Sequence, residues 1–479
     1  MRGRWGAGAF LAALLVLIAV MVVVVVSVPR SVDGLARAPE SPAVHPGEDP
    51  AIEPIATEPT SRWKVDAKAL FGAAASPKYL MVKAASDDLV VVSGLPAGQT
   101  PSPVAAISPD DGHPLWEHPS TFAAKQCALS RDGALACVRN GDSGTDSTLV
   151  AFLDADTGEV RTTKTVTTPG YANIVRAGDG FLVYTENFSG GLQKTTALTW
   201  FDSAAARTWT RTPPPELEYP ELSEAGNVVA IADHRSGARV YALDSGVELY
   251  DSTRDFRAAS ATTSYGPPTV SVAPNAAGFA VSYSTIGGKS AGDRLLLFDR
   301  LGIRRNQIDG FRLTLRPDGT EGERIPVERE DEKSSADFAG VFSMTQGRVL
   351  WEQPSDYTHD VSLVSGKLLS MRSSAADREG YQWKLFDGAT GEPRATVAAS
   401  IYMDLEAFDG DRVVFEGDMR AGEPGPGAYT AFDAASGQQV WRVKTRQSAD
   451  DVNLRIVGPY FFRYDAQVGR SVASITRLG

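Results

Sequence analysis

Beyond its N-terminal end, the chain is a succession of short apolar runs separated by clusters of Gly, Asp, Ser and Pro. Gly180–Tyr184 and Gly410–Phe415 are two such runs, each opened by a glycine. Runs of this length between turn-forming residues are typical of β-strands, and no long amphipathic helical pattern follows Trp63. The pattern therefore predicts an all-β domain over residues 63–479.

A short phrase recurs along this domain, and its best copy is Ala431–Trp441, AFDAASGQQVW. Phe152–Glu159 and Leu385–Glu392 are two further good copies, and weaker ones contain Ser108, Asp202, Asp244 and Asp299. The Asp is expected to accept hydrogen bonds from the amides that follow it, and the Gly to supply a left-handed conformation. The predicted turn residues are Asp154, Gly158, Asp387, Gly391, Asp433 and Gly437.

The spacing of the phrase indicates the architecture. Its equivalent positions are 108, 154, 202, 244, 299, 387 and 433, which gives steps of 46, 48, 42, 55, 88 and 46 residues. A period of this size, with room for four strands, is that of a β-propeller blade. The step of 88 residues contains a charged stretch, Arg312–Asp337, which we interpret as an insertion that enlarges one blade.

The two ends of the domain predict a closed ring. Gly458–Arg477 repeats the middle strands of a blade but ends before a Trp-containing strand, whereas Trp63–Val65 resembles Trp441–Val443. The first strand is therefore expected to complete the last blade, which removes a free sheet edge. Seven whole copies and one split copy predict an eight-bladed β-propeller, with a seven-bladed ring as the alternative.

The phrase resembles the repeat of the PQQ-like, or quinoprotein-type, β-propeller superfamily. The copies at Asp154, Asp387 and Asp433 match well, and the weaker copies extend the resemblance over most of residues 63–479. The resemblance implies eight blades and tryptophan side chains that pack between blades. Those side chains would be Trp63, Trp116, Trp209 and Trp441.

The enzymes of that superfamily oxidise alcohols or sugars with PQQ and Ca²⁺, and the alcohol oxidases typically hold a disulfide between adjacent cysteines over the quinone. This chain has no adjacent cysteines and no assignable set of calcium ligands, and its carboxylates lie mainly in predicted turns. We therefore assign no catalytic residue, metal ligand or cofactor, and expect a non-enzymatic branch. A dehydrogenase dependent on PQQ and calcium is one alternative, and a small-ligand-binding ectodomain is another.

The N-terminal region predicts a membrane anchor. Gly6–Val28 is an uncharged, mostly apolar run, and 23 helical residues cover the hydrocarbon core of a bilayer, which is about 30 Å thick. Arg2 and Arg4 favour a cytoplasmic N-terminus and an extracytoplasmic propeller. We predict an uncleaved signal-anchor helix within residues 1–30, with a cleaved signal peptide as the alternative. Residues 31–62 are rich in Pro and carboxylates, which predicts a disordered linker.

Charge and composition limit the classes of partner, and the positions of the two cysteines predict a disulfide. A formal net charge of −12 argues against a nucleic-acid partner, and two Cys with five His leave little for a Cys/His zinc site. Cys127 and Cys137 flank the predicted Arg131–Gly133 turn at positions that would lie opposite each other. Outside the membrane this pair is expected to form a structural disulfide, and two buried thiols are the alternative.

The sequence supports only a general functional hypothesis. We predict a membrane-anchored extracytoplasmic scaffold that binds cell-envelope proteins of unknown identity, and the Ala- and Val-rich composition suggests an actinobacterium. Long loops on rigid scaffolds often carry recognition, so the charged stretch is the candidate recognition insert, with a solvated flap as its alternative. Its candidate residues are Arg316, Glu321, Glu323, Arg324, Glu328 and Arg329.

Overall fold

The computed structural model describes residues 52–72, 79–95, 103–116, 120, 122–140, 147–167, 171–189, 192–206, 208–212, 217, 221–233, 237–252, 269–284, 293–314, 322–331, 336–355, 361–364, 367–374, 381–399, 403–417, 428–444, 453–465 and 473–479. The predicted membrane helix within residues 1–30 and the linker up to residue 51 lie outside them. No helix in the described ranges is both long and apolar enough to span a membrane.

Within the described residues, the strands form nine antiparallel sheets, numbered here as blades 1 to 9. The chain begins with β1 (Ser61–Asp66) and a short helix, α1 (Ala67–Phe71), whose first turn is capped by the Asp66 carboxylate. Blade 1 contains β2 (Tyr79–Ala85), β3 (Val90–Leu95) and β4 (Val104–Ile107). Leu115 and Ser120 lie beside β4 in the place of a fourth strand, because Leu115 N and Ser120 N donate to carbonyls of β4.

Blades 2 to 5 are four-stranded. Blade 2 contains β5 (Gln126–Leu129), β6 (Leu135–Asn140), β7 (Ser147–Leu153) and β8 (Val160–Thr167). Blade 3 contains β9 (Tyr171–Ala177), β10 (Gly180–Ser189), β11 (Leu192–Asp202) and β12 (Thr208–Arg211). Blade 4 contains β13 (Glu221–Ala225), β14 (Val228–Asp233), β15 (Gly237–Ala242) and β16 (Glu248–Asp251). Blade 5 contains β17 (Thr269–Asn275), β18 (Gly278–Ser284), β19 (Arg294–Asp299) and β20 (Arg304–Asp309).

Blades 6 to 9 are also four-stranded. Blade 6 contains β21 (Arg312–Leu313), β22 (Arg324–Asp331), β23 (Ala336–Ser343) and β24 (Arg348–Ser355). Blade 7 contains β25 (Val361–Val364), β26 (Leu368–Ser374), β27 (Tyr381–Asp387) and β28 (Pro393–Ala399). Blade 8 contains β29 (Met403–Phe408), β30 (Arg412–Gly417), β31 (Ala428–Asp433) and β32 (Gln439–Lys444). Blade 9 contains β33 (Asn453–Val457), β34 (Tyr460–Asp465), β35 (Ser474–Leu478) and, as its outer strand, β1.

The core lies between the blades and not inside any one of them. Among the described residues, each of nine hydrophobic clusters joins two consecutive blades, and one cluster packs Phe462 and Ile475 of blade 9 against Val90 and Val92 of blade 1. Both faces of the middle strands are therefore buried, which explains their continuous apolar runs. The nine interfaces close the ring.

The prediction of eight blades was wrong, and so was the seven-bladed alternative. The step of 88 residues contains a complete blade, blade 6, and not one enlarged blade. Its third turn is a copy of the recurring phrase in which Ser343 replaces the Asp, and Ser343 Oγ accepts a hydrogen bond from Gln346 N at 3.1 Å. Gly347 follows with a φ of 65°. The long step is thus two steps of 44 residues, from 299 to 343 and from 343 to 387.

The two ends of the domain meet in blade 9. β1 pairs antiparallel with β35, with Val65 opposite Ile475, as the sequence predicted. The last residue, Gly479, exchanges backbone hydrogen bonds with Thr60 at 3.0 and 3.2 Å. The outer edge of blade 9 is therefore covered by the start of the chain.

Residues 52–60, which the sequence assigned to the linker, pack on the propeller. Ile52 and Ile55 are buried in the cluster between blades 8 and 9. Glu53 N donates to Pro459 O at 2.8 Å, and Ile55 N donates to the Asp409 carboxylate at 3.2 Å. In the described part of the chain, contacts with the propeller are thus already present at Ile52, eleven residues before the predicted boundary at Trp63.

A disulfide joins the two inner strands of blade 2. Cys127 and Cys137 are opposite each other in the β5–β6 register, both are buried, and the S–S distance is 2.05 Å. Because a closed loop of this size restricts the unfolded chain, the double variant Cys127→Ala/Cys137→Ala is expected to lose about 3 kcal/mol of unfolding free energy. Urea denaturation of the variant and of the wild type, each with and without reductant, measures this loss.

Reductant should lower the stability of the wild type and leave the double variant unchanged. Peptide mapping under non-reducing conditions, with a thiol count, tests the bond directly. Two free thiols in the native protein isolated from outside the membrane would contradict the disulfide.

Candidate functional site

One end of the blades, here called the turn face, carries the turns between first and second strands and between third and fourth strands. Antiparallel strands connected in sequence place these two turns at the same end of a sheet. Hydrogen bonds join them: Leu243 N donates to Asn227 O at 2.9 Å, and Ala434 N donates to Asp411 O at 2.8 Å. The turn face therefore presents two rows of turns around the ring.

The predicted turn residues form the outer row of turns. Asp154 Oδ1 accepts hydrogen bonds from Asp156 N and Thr157 N, both at 3.0 Å, and Gly158 has a φ of 75°. The same arrangement recurs at Asp387 with Gly391 and at Asp433 with Gly437.

The carboxylates of these turns are committed to local contacts. A hydrogen bond from the Arg394 side chain, 2.6 Å from Asp387 Oδ2, lowers the pKa of Asp387 to about 2. Hydrogen bonds from Ser436 likewise lower the pKa of Asp433. These groups hold the turns in shape.

The tryptophans predicted to pack between blades donate to turns of the next blade. Trp63 Nε1 donates to Pro109 O at 2.7 Å, Trp116 Nε1 to Ala155 O at 2.7 Å and Trp209 Nε1 to Leu243 O at 2.6 Å. Each ring lies against the turn glycine of that blade.

Two further tryptophans extend this series. Trp441 Nε1 donates to Ile55 O at 3.0 Å, so the N-terminal segment takes the place of the turn that blade 9 lacks. Trp351 Nε1 donates to Gly388 O at 3.3 Å. The sequence analysis missed Trp351 because blade 6 was interpreted as an insertion.

The charged stretch predicted as a recognition insert forms strands of blade 6. Glu328 is only 2% exposed and its side chain lies 3.2 Å from Arg312, while burial raises the pKa of Glu328 to about 7. Arg329 pairs with Glu352 at 2.8 Å and lies over the Phe338 ring. The side chains of Glu328 and Arg329 thus hold the blade together.

Two of the other predicted residues of this stretch are described by the structure, and two are not. Glu323 and Arg324 are half-buried at the start of β22. Arg316 and Glu321 lie outside the described residues. A recognition role for the stretch stays a prediction.

A different part of the turn face exposes apolar side chains. Val247, Leu301 and Ile303, here called the rim patch, are 55%, 74% and 50% exposed. Gly302 of blade 5 packs closely on blade 4, since a Cβ added to Gly302 would lie only 2.6 Å from Leu249 O. This contact brings Leu301 and Ile303, the neighbours of Gly302, next to the turn of blade 4 that contains Val247. Gly302 thus lies on Leu249, whereas the turn glycines of blades 1, 2, 4 and 7 lie on a tryptophan ring of the preceding blade. Exposed apolar groups that are contiguous often mark interaction sites.

Arginines surround the rim patch. Arg300, Arg304 and Arg305 flank Leu301 and Ile303 in the chain and are exposed. Arg300 donates to Ala276 O, and the Arg305 side chain lies 2.5 Å from the Asp299 carboxylate. The rim patch is thus an apolar centre with arginines on its blade 5 side and Glu248 on its blade 4 side, on a protein whose net charge is −12.

A cleft of about 270 Å³ opens on the same face, between blades 3 and 4. Trp200 and Leu243 contribute apolar surface, and Asp179, Asp202 and Asp244 contribute carboxylates. Blades 3 to 5 therefore present an acidic cleft beside the cationic rim patch. In the described ranges, His, Cys, Asp and Glu side chains do not converge in threes as a metal ion would require.

Eight four-stranded sheets and one three-stranded sheet around a ring, closed by the N-terminal strand, define a nine-bladed β-propeller. Residues 37–459 match the model of the conjugation-associated nine-bladed β-propeller domain, and the chain belongs to this family. No curated protein matches the sequence.

Several solved structures have similar strand arrangements. BamB from Moraxella catarrhalis is 13% identical, with 88% of this chain and 97% of that chain covered and a TM-score of 0.39. A quinohemoprotein alcohol dehydrogenase from Pseudomonas putida is 11% identical, with 91% and 80% covered and a TM-score of 0.39. A eukaryotic initiation factor is 11% identical, with 78% and 91% covered and a TM-score of 0.44. Similarities this low carry no argument about function.

Proposed function

We propose that the protein is a non-enzymatic scaffold that binds protein components of a bacterial conjugation apparatus in the cell envelope. The rim patch is the observation that carries the proposal, and the family to which the chain belongs names the process. The proposal includes the membrane anchor in residues 1–30, an extracytoplasmic propeller, an actinobacterial source and a non-enzymatic PQQ-like ancestry. It assigns no cofactor.

The chemistry of the rim patch defines the surface that would bind it. Leu301 is the most exposed large apolar side chain of the described residues, and burying it and Ile303 would stabilise a complex by removing apolar area from water. The flanking arginines favour carboxylates around that contact, because charge complementarity raises association rates and fixes orientation. We expect a protein partner with an apolar pocket bordered by Asp or Glu.

The path of the N-terminal segment supports the use of this face. Residues 52–60 contact Asp409 and Pro459, which belong to first turns of blades 8 and 9 on the turn face. The first described residues therefore lie on the same face of the propeller as the rim patch.

Site-specific photo-crosslinking in mating cells tests the proposal. A photoreactive residue at Leu301 should crosslink to a component of the conjugation apparatus. Val160, 40% exposed just after a turn glycine of blade 2, provides a matched control that should not crosslink to that component. Equal crosslinking at both positions would contradict a specific site.

The double variant Leu301→Asp/Ile303→Asp should lower the frequency of DNA transfer at least about tenfold, since about 1.4 kcal/mol of lost binding corresponds to a factor of ten. Its unfolding midpoint should match the wild type because both side chains are exposed. Unchanged transfer, or dye reduction by the purified propeller with PQQ, Ca²⁺ and an alcohol or sugar, would overturn the proposed function.

A further inference from the structure

A buried carboxylate of blade 6 faces the guanidinium of Arg312. Glu328, on β22, is 2% exposed, and its Oε2 accepts a hydrogen bond from Arg312 Nε on β21 at 3.2 Å. The strand register places the two residues directly opposite each other. Burial of an ionised carboxylate costs free energy, and an ion pair offsets that cost only where its geometry is good.

Arg312 also contacts a carboxylate of blade 5. Its Nη1 lies 3.8 Å from Asp293 Oδ2, and Asp293 is 3% exposed immediately before β19. Gly310 N donates to the Asp293 carbonyl at 2.8 Å, so Asp293 also holds the connection between the two blades. Two buried carboxylates from consecutive blades therefore share the Arg312 guanidinium.

The environment of the other Glu328 oxygen favours the neutral carboxyl group. In the part of the chain that the structure describes, Glu328 Oε1 is buried and has no hydrogen-bond partner. A carboxylate enclosed in this way is destabilised relative to its protonated form, because the charged form loses more solvation.

The strands around Glu328 add negative charge on its side of the sheet. Glu330 lies two residues further along β22, and Asp337 of β23 is directly opposite Glu330, so both share the side of Glu328. β17 and β18 of blade 5 and β25 of blade 7, which contact β21 or β22, contain no charged residue. Arg294, at the start of β19, is exposed.

These surroundings shift the protonation equilibrium of Glu328. Burial, which outweighs the opposing charge and hydrogen bond of Arg312, raises the pKa of Glu328 from 4.5 to about 7, and the charges of Asp337 and Asp293 act in the same direction as burial. The folded protein thus holds a proton that the unfolded chain has released. The resulting stabilisation is complete below the unfolded pKa and is lost as the pH rises to about 7.

We propose that Glu328, Arg312 and Asp293 form a proton-sensitive contact that links blade 5 to blade 6. With Glu328 protonated, Arg312 is available to the Asp293 carboxylate and joins the two blades. When Glu328 ionises, it competes with Asp293 for the same guanidinium, and the junction becomes less stable. The contact does not depend on the rim patch or on the proposed function.

Urea denaturation of the full chain at pH 5.5 and 7.5 tests the contact. Between these pH values the folding equilibrium constant of the wild type should fall about twentyfold more than that of Glu328→Gln, which mimics the protonated side chain. Glu352→Gln, at a more exposed carboxylate of the same blade that pairs with Arg329, should show the pH dependence of the wild type. Equal pH dependence in the wild type and Glu328→Gln would overturn the proposal.

Arg312→Gln distinguishes this titration from a purely structural role. Because Arg312 opposes the rise in the pKa of Glu328, its removal should move the loss of stability to higher pH, whatever the overall stability of the variant. An unchanged midpoint of the pH profile would contradict the shared guanidinium.

Hydrogen exchange, corrected for intrinsic rates, locates the effect. In the wild type, β19 and β22 should open more often at pH 7.5 than at pH 5.5, relative to the strands of blade 2, and Glu328→Gln should remove this difference. A pH effect spread evenly over all blades would contradict a contact local to blades 5 and 6.

Discussion

Replacing Trp63 with alanine is expected to lower the free energy of unfolding by about 3–5 kcal/mol, the usual cost of deleting a buried tryptophan side chain. Trp63 is 7% exposed, packs against Phe462 at a ring separation of 6.2 Å and lies against Gly112 of blade 1. Its Nε1 donates to Pro109 O, so the variant also removes one of the two hydrogen bonds of that carbonyl, which keeps the one from Arg477. The loss falls on the interface that closes the ring.

Equilibrium denaturation with guanidinium measures this effect, and Trp63→Phe is the matched control. Phenylalanine retains most of the apolar contact and removes the hydrogen bond, so its loss should be nearer 1–2 kcal/mol, the net contribution of one such bond plus a small change in packing. A loss below about 1 kcal/mol for Trp63→Ala would mean that blade 9 does not depend on β1 for its packing.

The type of fold was predictable from the sequence because each blade repeats one turn chemistry. The predicted number of blades was wrong, although the residues that mark the ninth blade were present. Ser108 was accepted as a substitute for the turn Asp, and Ser343 makes the equivalent hydrogen bond in blade 6. Phe342 before Ser343 and Trp351 after Gly347 complete the phrase. The charged residues of β22 obscured it, since strands were expected to be apolar.

The sequence predicted that the packed domain starts at Trp63, which is too late in the chain, for a similar reason. Pro-rich, acidic composition predicted disorder through residue 62, but Ile52 and Ile55 place two apolar side chains in that segment. The blade 8 interface buries both, and the Ile55 carbonyl satisfies Trp441. Composition averages over a segment, whereas two well-placed residues can fix its end against a neighbouring surface.

The candidate sites depend on contacts that a single chain sequence does not reveal. The rim patch exists because Gly302 packs on Leu249 of the preceding blade and leaves its two neighbours exposed. Repeat spacing predicts which residues are equivalent but not which residues meet between blades.

Gly158→Ala is the second substitution expected to have a large effect, a loss of about 2–5 kcal/mol of unfolding free energy. An added Cβ would lie 2.5 Å from Trp116 Cε3, and the Trp116 ring cannot easily move because its Nε1 is bonded to Ala155 O. The left-handed φ of 75° adds about 1–2 kcal/mol for a residue with a Cβ. Overpacking of a filled site typically adds about 1–3 kcal/mol.

Gly133→Ala in the same blade separates the two contributions. Gly133 has a φ of 80° but no atom within 4 Å of the added Cβ, so its variant should lose only the 1–2 kcal/mol of backbone strain. The difference between the two losses of unfolding free energy, measured by denaturation, is the cost of the clash at Gly158. A red shift of tryptophan emission in Gly158→Ala alone would report displacement of Trp116. Equal losses would mean that the turn and Trp116 are not in contact. The docking of tryptophan on the turn glycine would then not be what joins blade 1 to blade 2.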